Sequence, residues 1–193
     1  TIGATSTSYL IYNNNSSSSV SASGNTTSGT ITKTGASGTF YGYYNNGSPT
    51  SGTETISGNN CSNISVTGTS VFTGINSTTG VGQNCDIFNN TISSITGGTG
   101  TITGINVSYH ATRNIYGNTI TDLTGSGSIL GIGNATTTNA TVNNVYKNKI
   151  CNLSTSSSST TAGLVTGILI ASNSGATANY FNNLIGNLTA PAA

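Results

Sequence analysis

Apolar residues in this chain come in bursts of three to six, often alternating with polar ones, as in "TITGINV" at residues 101–107. Such runs predict short β-strands, because a strand turns successive side chains to opposite faces. Gly, Asn, Ser and Thr interrupt every longer run, which removes the 3.6-residue rhythm that an amphipathic helix needs. The bursts also recur. "DIFNNTISSI" (86–95), "NIYGNTITDL" (114–123), "NVYKNKICNL" (144–153) and "NYFNNLIGNL" (179–188) share one pattern around a central asparagine.

That asparagine falls at Asn25, Asn59, Asn90, Asn118, Asn148 and Asn183, at spacings of 34, 31, 28, 30 and 35 residues. A glycine followed by an apolar or aromatic residue forms a second series at Gly42, Gly74, Gly104, Gly131 and Gly167, and the two series interleave without exception. A repeat of this length with three short strands and three bends predicts one turn of a parallel β-helix. A single turn cannot bury its inner face, and stacked turns share one core. The expected fold is therefore all-β: a single β-solenoid domain of about six coils of ~27–36 residues. Residues 1–53 are expected to form less regular first coils, 54–189 the regular repeats and 190–193 a tail. An asparagine at a bend suits the positive φ that a sharp turn requires. Successive asparagines stacked ~4.8 Å apart also predict an amide ladder at that bend.

Aligned on the marker, the columns are consistent. Two places after it stand Cys61, Ile92, Ile120, Ile150 and Ile185, and five places after it Ile64, Ile95, Leu123, Leu153 and Leu188; both are expected core columns. Two places before it stand Phe88, Tyr116, Tyr146 and Phe181, an expected aromatic stack interrupted by Ser57.

Composition narrows the reading. There are 27 Asn, 29 Ser, 36 Thr and 26 Gly in 193 residues and only seven charged side chains, so composition alone would suit a polar linker; the periodic Ile, Val, Leu and Tyr argue for a packed solenoid instead. A net charge of +1 gives no footprint for nucleic acid. The longest apolar run, ten residues from 162 to 171, is half of what a membrane span needs, so no membrane insertion is expected. The absence of an initiator Met fits a processed or excised chain.

The "Ile-x-x-Asn-x-Ile" bends at 87–92 and 115–120, with Val145 to Ile150 as a variant, resemble those of secreted bacterial right-handed parallel β-helix repeat proteins. The Asn/Thr/Gly style is similar to the large surface repeat proteins of Bacteroidota-type organisms. The resemblance covers residues 54–189 and implies the solenoid fold and an extracellular or cell-surface location. Lyases, adhesins and structural proteins share that family's fold, so function must be sought in a site.

Catalysis is not expected. The fold's polysaccharide-cleaving members imply clustered acids, whereas Asp86 lies four places before its marker, Asp122 four places after, and Glu54 in another coil. His110 and Arg113 have no acidic partner in register on this count, and His110 reads as a solvated loop residue. No catalytic, metal or cofactor residues are assigned. Cys61, Cys85 and Cys151 fall too far apart around and along the stack for a disulfide, and Cys61 is expected to be buried. Thr99, Thr101 and Thr103 suggest an ice-binding array, but their columns read Val71, Thr101, Ser128, Leu164 and Thr73, Thr103, Leu130, Thr166, so the array does not persist. Asn-x-Ser/Thr sequons, among them Asn76, Asn106, Asn134 and Asn139, are candidate glycosylation sites on exposed loops.

These features predict a structural subunit of an extracellular filament. The alternative is an adhesin or carbohydrate-binding stalk segment of a larger surface protein, with glycans as partners. The terminal regions at 8–15 and 179–189 carry apolar strands without a cap, which predicts head-to-tail stacking of copies with a rise of roughly 25–32 Å per subunit.

Overall fold

The computed structural model describes the chain except at residues 4, 49, 81, 135–140, 159–162, 172–174 and 192–193. It is a parallel β-solenoid, with no helix among the described residues. The first coil holds β1 (Ser8–Asn13), β2 (Ser19–Ser23) and β3 (Ile31–Lys33), and the second holds β4 (Thr39–Asn45), β5 (Thr53–Ser57) and β6 (Asn60–Val66). The third coil comprises β7 (Val71–Ser77), β8 (Asn84–Phe88) and β9 (Thr91–Thr96), and the fourth β10 (Ile102–Val107), β11 (Thr112–Tyr116) and β12 (Thr119–Gly125). The fifth has β13 (Ile129–Asn134), β14 (Val142–Tyr146) and β15 (Lys149–Thr155). The last has β16 (Val165–Ile170), β17 (Thr177–Phe181) and β18 (Leu184–Thr189). Every third strand pairs in parallel, giving three six-stranded sheets that begin with β1, β2 and β3.

The register puts like on like. Cys61, Ile92, Ile120, Ile150 and Ile185 are successive partners, as are Ile64, Ile95, Leu123, Leu153 and Leu188. Thr73, Thr103, Leu130 and Thr166 align as the residue count predicts. The core adds Phe40, Phe72, Ile102 and Ile129 from the first sheet and Ile56, Ile87, Ile115 and Val145 from the second, all at most 1% exposed.

The asparagine ladder forms, and its donors and acceptors close completely in the middle of the stack. Asn118 Nδ2 donates to Asn148 Oδ1 at 3.0 Å and to the Ile87 carbonyl at 2.9 Å. Its Oδ1 accepts from both Nδ2 and the backbone N–H of Asn90. The same side-chain and backbone bonds join Asn25 to Asn59, Asn59 to Asn90 and Asn148 to Asn183.

The conformational half of the expectation is corrected. Positive φ belongs to the residue before each ladder member: Gly24 (68°), Gly58 (61°), Asn89 (54°), Gly117 (63°), Lys147 (55°) and Asn182 (54°). That preceding residue makes the turn, and the ladder asparagine is held for its hydrogen bonds alone. A second left-handed column, at Asn63, Ser94, Asp122, Asn152 and Asn187, lies four places after the ladder. It explains a parity problem in the third sheet. Positions three apart on a regular strand face opposite sides, yet Ile120 and Leu123 are both fully buried. The kink at Asp122 turns the strand between them.

The recurring glycines answer to packing. A Cβ on Gly104 would lie 2.6 Å from the Gly131 carbonyl oxygen and 2.9 Å from Ile120 Cγ2, so the first sheet packs its backbone against the isoleucine column of the third.

Replacing Asn118 with Ala strips partners from two groups of Asn90, the Ile87 carbonyl and Asn148 Oδ1. At about 1–3 kcal/mol per buried unsatisfied group, the expected loss is about 3 kcal/mol or more. Asn25→Ala, at the exposed end of the ladder, is expected to cost under ~1 kcal/mol. Denaturant unfolding of the two variants checks the contrast.

Candidate functional site

Where the first sheet turns into the second, the interior becomes polar. The inward column of the second sheet reads Glu54, Cys85, Arg113, Asn143, each aligned with the next and each fully buried. Asn45 and Ser77 end β4 and β7 and are aligned with each other. Gln83 and His110 come from the connections that follow β7 and β10, and both are fully buried.

Four side chains converge on Glu54. Tyr43 donates its hydroxyl to Oε1 at 2.8 Å. The Ser77 hydroxyl makes a short hydrogen bond to Oε2, and the Cys85 thiol reaches the same oxygen at 3.8 Å. Ser77 Oγ also lies 2.8 Å from His110 Nε2, which is itself 3.5 Å from Glu54 Oε2. Burial raises the Glu54 pKa, opposed by the donors Ser77, Tyr43, Asn45 and Cys85. Burial, then the charge of Arg113, lowers His110 to about 4, against the bond from Ser77. The imidazole is therefore neutral at pH 7, and its approach to Glu54 is not an ion pair; the hydrogen bond at Nε2 is to Ser77. Burial and then the neighbouring Glu54 push the Cys85 thiol well above its usual range. Further along, Arg113 donates to Asn134 Oδ1, and Asn134 Nδ2 donates to the Tyr180 hydroxyl at 3.1 Å.

The arrangement does not suit acyl transfer. The serine hydroxyl stands between acid and imidazole, so its proton is directed to one or shared with the other, and Ser77 is fully buried. Glu54, Cys85 and His110 are, however, metal-ligand types whose donor atoms all lie within 4.8 Å of one another.

Two sequence expectations are corrected here. His110 is an interior residue, and Glu54 reaches it across two coils. Arg113 has an acid in its own column, Glu54, with Cys85 between them. The signal was present: Glu54, Cys85, Arg113 and Asn143 each stand five places before a ladder asparagine. Ser77 and His110 had no such signal, because they end strands or lie in connections of varying length.

The aromatic column stacks as a continuous file, Phe88 on Tyr116 at 4.9 Å, Tyr116 on Tyr146 at 5.0 Å and Tyr146 on Phe181 at 4.9 Å. A second group escaped the marker alignment. Tyr9, Tyr12, Tyr41 and Tyr44 lie together on the first sheet, with Tyr9 over Tyr41 at 5.5 Å and Tyr12 over Tyr44 at 5.8 Å. Outer ladders were also missed. Asn114 donates to Asp86, Asn144 to Asn114 and Asn179 to Asn144, while Asn187 donates to Asn152 and Asn152 to Asp122. The acceptor-only aspartates thus head two ladders, and Asp86 and Asp122 remain apart as the count predicted.

Of the candidate glycosylation sites, Asn76 and Asn134 are buried strand residues, not loop positions as expected. Asn76 bonds to Thr78 and Asn106, and Asn134 is held between Arg113 and Tyr180. Asn106 lies within β10, and Asn139 lies outside the described residues. Comparison with family models, with curated proteins and with solved structures gives no match for this chain.

All three cysteines are free thiols. Burial pushes Cys61 up to about 12, and Cys85 is fully enclosed, whereas Cys151 is half-buried on the third sheet. A thiol-reactive chromophore should therefore label a single cysteine rapidly in the native chain, Cys151 by peptide mapping, and all three in denaturant.

Proposed function

We propose that this chain is a structural solenoid unit of an extracellular or cell-surface filament, joined to its neighbours through its terminal coils. The observation that carries this reading is the distribution of exposed apolar side chains. Among the described residues, the large exposed hydrophobics are Tyr9, Leu10 and Tyr12 in the first coil, Tyr109 in the middle, and seven at the other end. Those seven are Leu164, Leu169, Ile170, Phe181, Leu184, Ile185 and Leu188, with Leu184 63% exposed. Ile185 and Leu188 belong to core columns that are buried from the second coil to the fifth.

Polar groups add direction. The Oδ1 of Asn25 faces outward at one end of the ladder, and at the other Asn183 has used only one Nδ2 bond, to the Val145 carbonyl. An acceptor end and a donor end complement each other head to tail, not head to head. The outermost strands β1, β2 and β16 to β18 have no strand on their outer edges, and β3 is bridged there by Ile2 alone. A cavity of about 410 Å³ near the first coils, bounded by Leu10, Ile31, Gly42, Tyr43, Cys61 and Ile75, offers room for an incoming apolar side chain. With a net charge of +1, repulsion between stacked copies is small. The heterologous contact propagates as a filament if its rotation does not close; flanking coils of a longer polypeptide would make the same contact covalently.

A second reading, a carbohydrate-binding stalk, is favoured by the four-tyrosine group confined to the first two coils, since aromatic faces stack on sugar rings. The two are separable. The purified chain is expected to form concentration-dependent filaments with an axial repeat of roughly 25–32 Å in electron micrographs. Ile185→Asp with Leu188→Asp should abolish them while leaving the β-sheet circular dichroism intact. A chain that stays monomeric at high concentration sinks the filament reading.

A further inference from the structure

We propose that Glu54, Cys85, His110 and Ser77 form a buried site for a divalent zinc-type cation that staples three successive coils. The four donor atoms come from different places in the sequence: Glu54 from the second coil, Ser77 and Cys85 from the third, and His110 from the connection after β10 in the fourth. A thiolate, an imidazole and a carboxylate together are a zinc set, bound at ~2.0–2.3 Å, and a tetrahedron with such bonds has edges of roughly 3.3–3.6 Å. Two edges are already close to this, while Ser77 Oγ lies nearer to both acid and imidazole than a tetrahedron allows and must draw back on binding. His110 Nε2 is 3.5 Å from Glu54 Oε2, and Cys85 Sγ is 3.8 Å from the same oxygen. Ser77 Oγ, now bridging acid and imidazole, supplies the remaining oxygen.

An independent observation concerns the other side of the imidazole. His110 Nδ1 is buried without a hydrogen-bond partner, and so are both amide atoms of Gln83. The two groups are neighbours, because a single point, the position of a Cβ on Gly80, lies 2.6 Å from Gln83 Oε1 and 3.0 Å from His110 Nδ1. A cation on Nε2 fixes the ring proton on Nδ1 and turns it toward that amide oxygen, the usual outer partner of a metal-bound histidine. Tyr43, donating to Oε1, does the same for the carboxylate. One thiolate and one carboxylate offset the two charges of the cation, while the buried Arg113 guanidinium beside Cys85 leaves one positive charge in the corner. On binding, the Cys85 thiol proton leaves to solvent, together with the Glu54 proton when that acid is protonated. Since every ligand is enclosed, the cation enters as the coils fold.

The test is reconstitution of the full chain. It is unfolded with reductant and chelator, refolded with equimolar Co²⁺ or Zn²⁺, desalted and assayed for bound metal. The expected result is one ion per chain, a sulfur-to-cobalt charge-transfer band in the near ultraviolet, and a raised unfolding midpoint. The band should vanish in Cys85→Ala and persist in Cys61→Ala and Cys151→Ala. Gln83→Ala, which removes only the outer partner, should weaken binding by roughly tenfold or more. Wild-type chain that refolds without retaining metal overturns the proposal and leaves a hydrogen-bonded cluster only. So does a band that survives Cys85→Ala or is lost in Cys61→Ala or Cys151→Ala. If Cys85→Ala does not fold, Cys85→Ser takes its place, with the same band expected to be lost.

Discussion

In-register parallel stacking at ~4.8 Å is the constraint on which the rest of this structure depends. Each residue lies beside its counterpart in the next coil, so a column must be compatible with itself. Isoleucine on isoleucine, ring on ring and amide on amide satisfy that condition. Like charges at this spacing repel, which accounts for a chain with only seven charged residues. The outward aspartates sit where they do no harm, each at the head of a ladder of asparagines that donate toward it. Arg113, the one charged residue sharing a column with Glu54, is separated from it by Cys85.

The ladders give the solenoid a direction that its smooth outline would hide. In the bend ladder each amide donates toward the C-terminal coil, and its orientation is pinned by the backbone carbonyl it also binds. In the outer ladders headed by Asp86 and Asp122 the amides donate the other way, because the acceptor-only aspartates stand at the N-terminal side. Only the bend ladder runs from the first coil to the last, and its two ends, Asn25 and Asn183, are unlike. The same stacking rule that builds the core leaves its columns uncovered at the last coil, where Leu184, Ile185 and Leu188 are exposed.

The polar corner is the exception to self-compatible columns. There the column changes residue type from coil to coil, Glu54 to Cys85 to Arg113 to Asn143, and these four are fully buried. Heterogeneity at that position prevents a ladder and produces a discrete cluster at one height in the stack. That cluster lies in the interior.

The sequence by itself determined the repeat, the columns and their register, because in parallel stacking column membership reduces to counting residues from a marker. The core columns at Ile92 and Ile95, the bend ladder through Asn118 and the lapse of the threonine array at Leu130 were all legible in this way. Which face a column takes was decided only by the tertiary structure. Left-handed residues such as Asp122 reset the inside–outside parity within a strand, so Ile120 and Leu123 both point inward although they are three apart. The turning residue itself stands one place before the asparagine that seemed to supply it. The meeting of Glu54 with Ser77 and His110 was likewise undetermined by counting. Those groups belong to different sheets and to connections of unequal length, and only the closed cross-section of the coil brings them together.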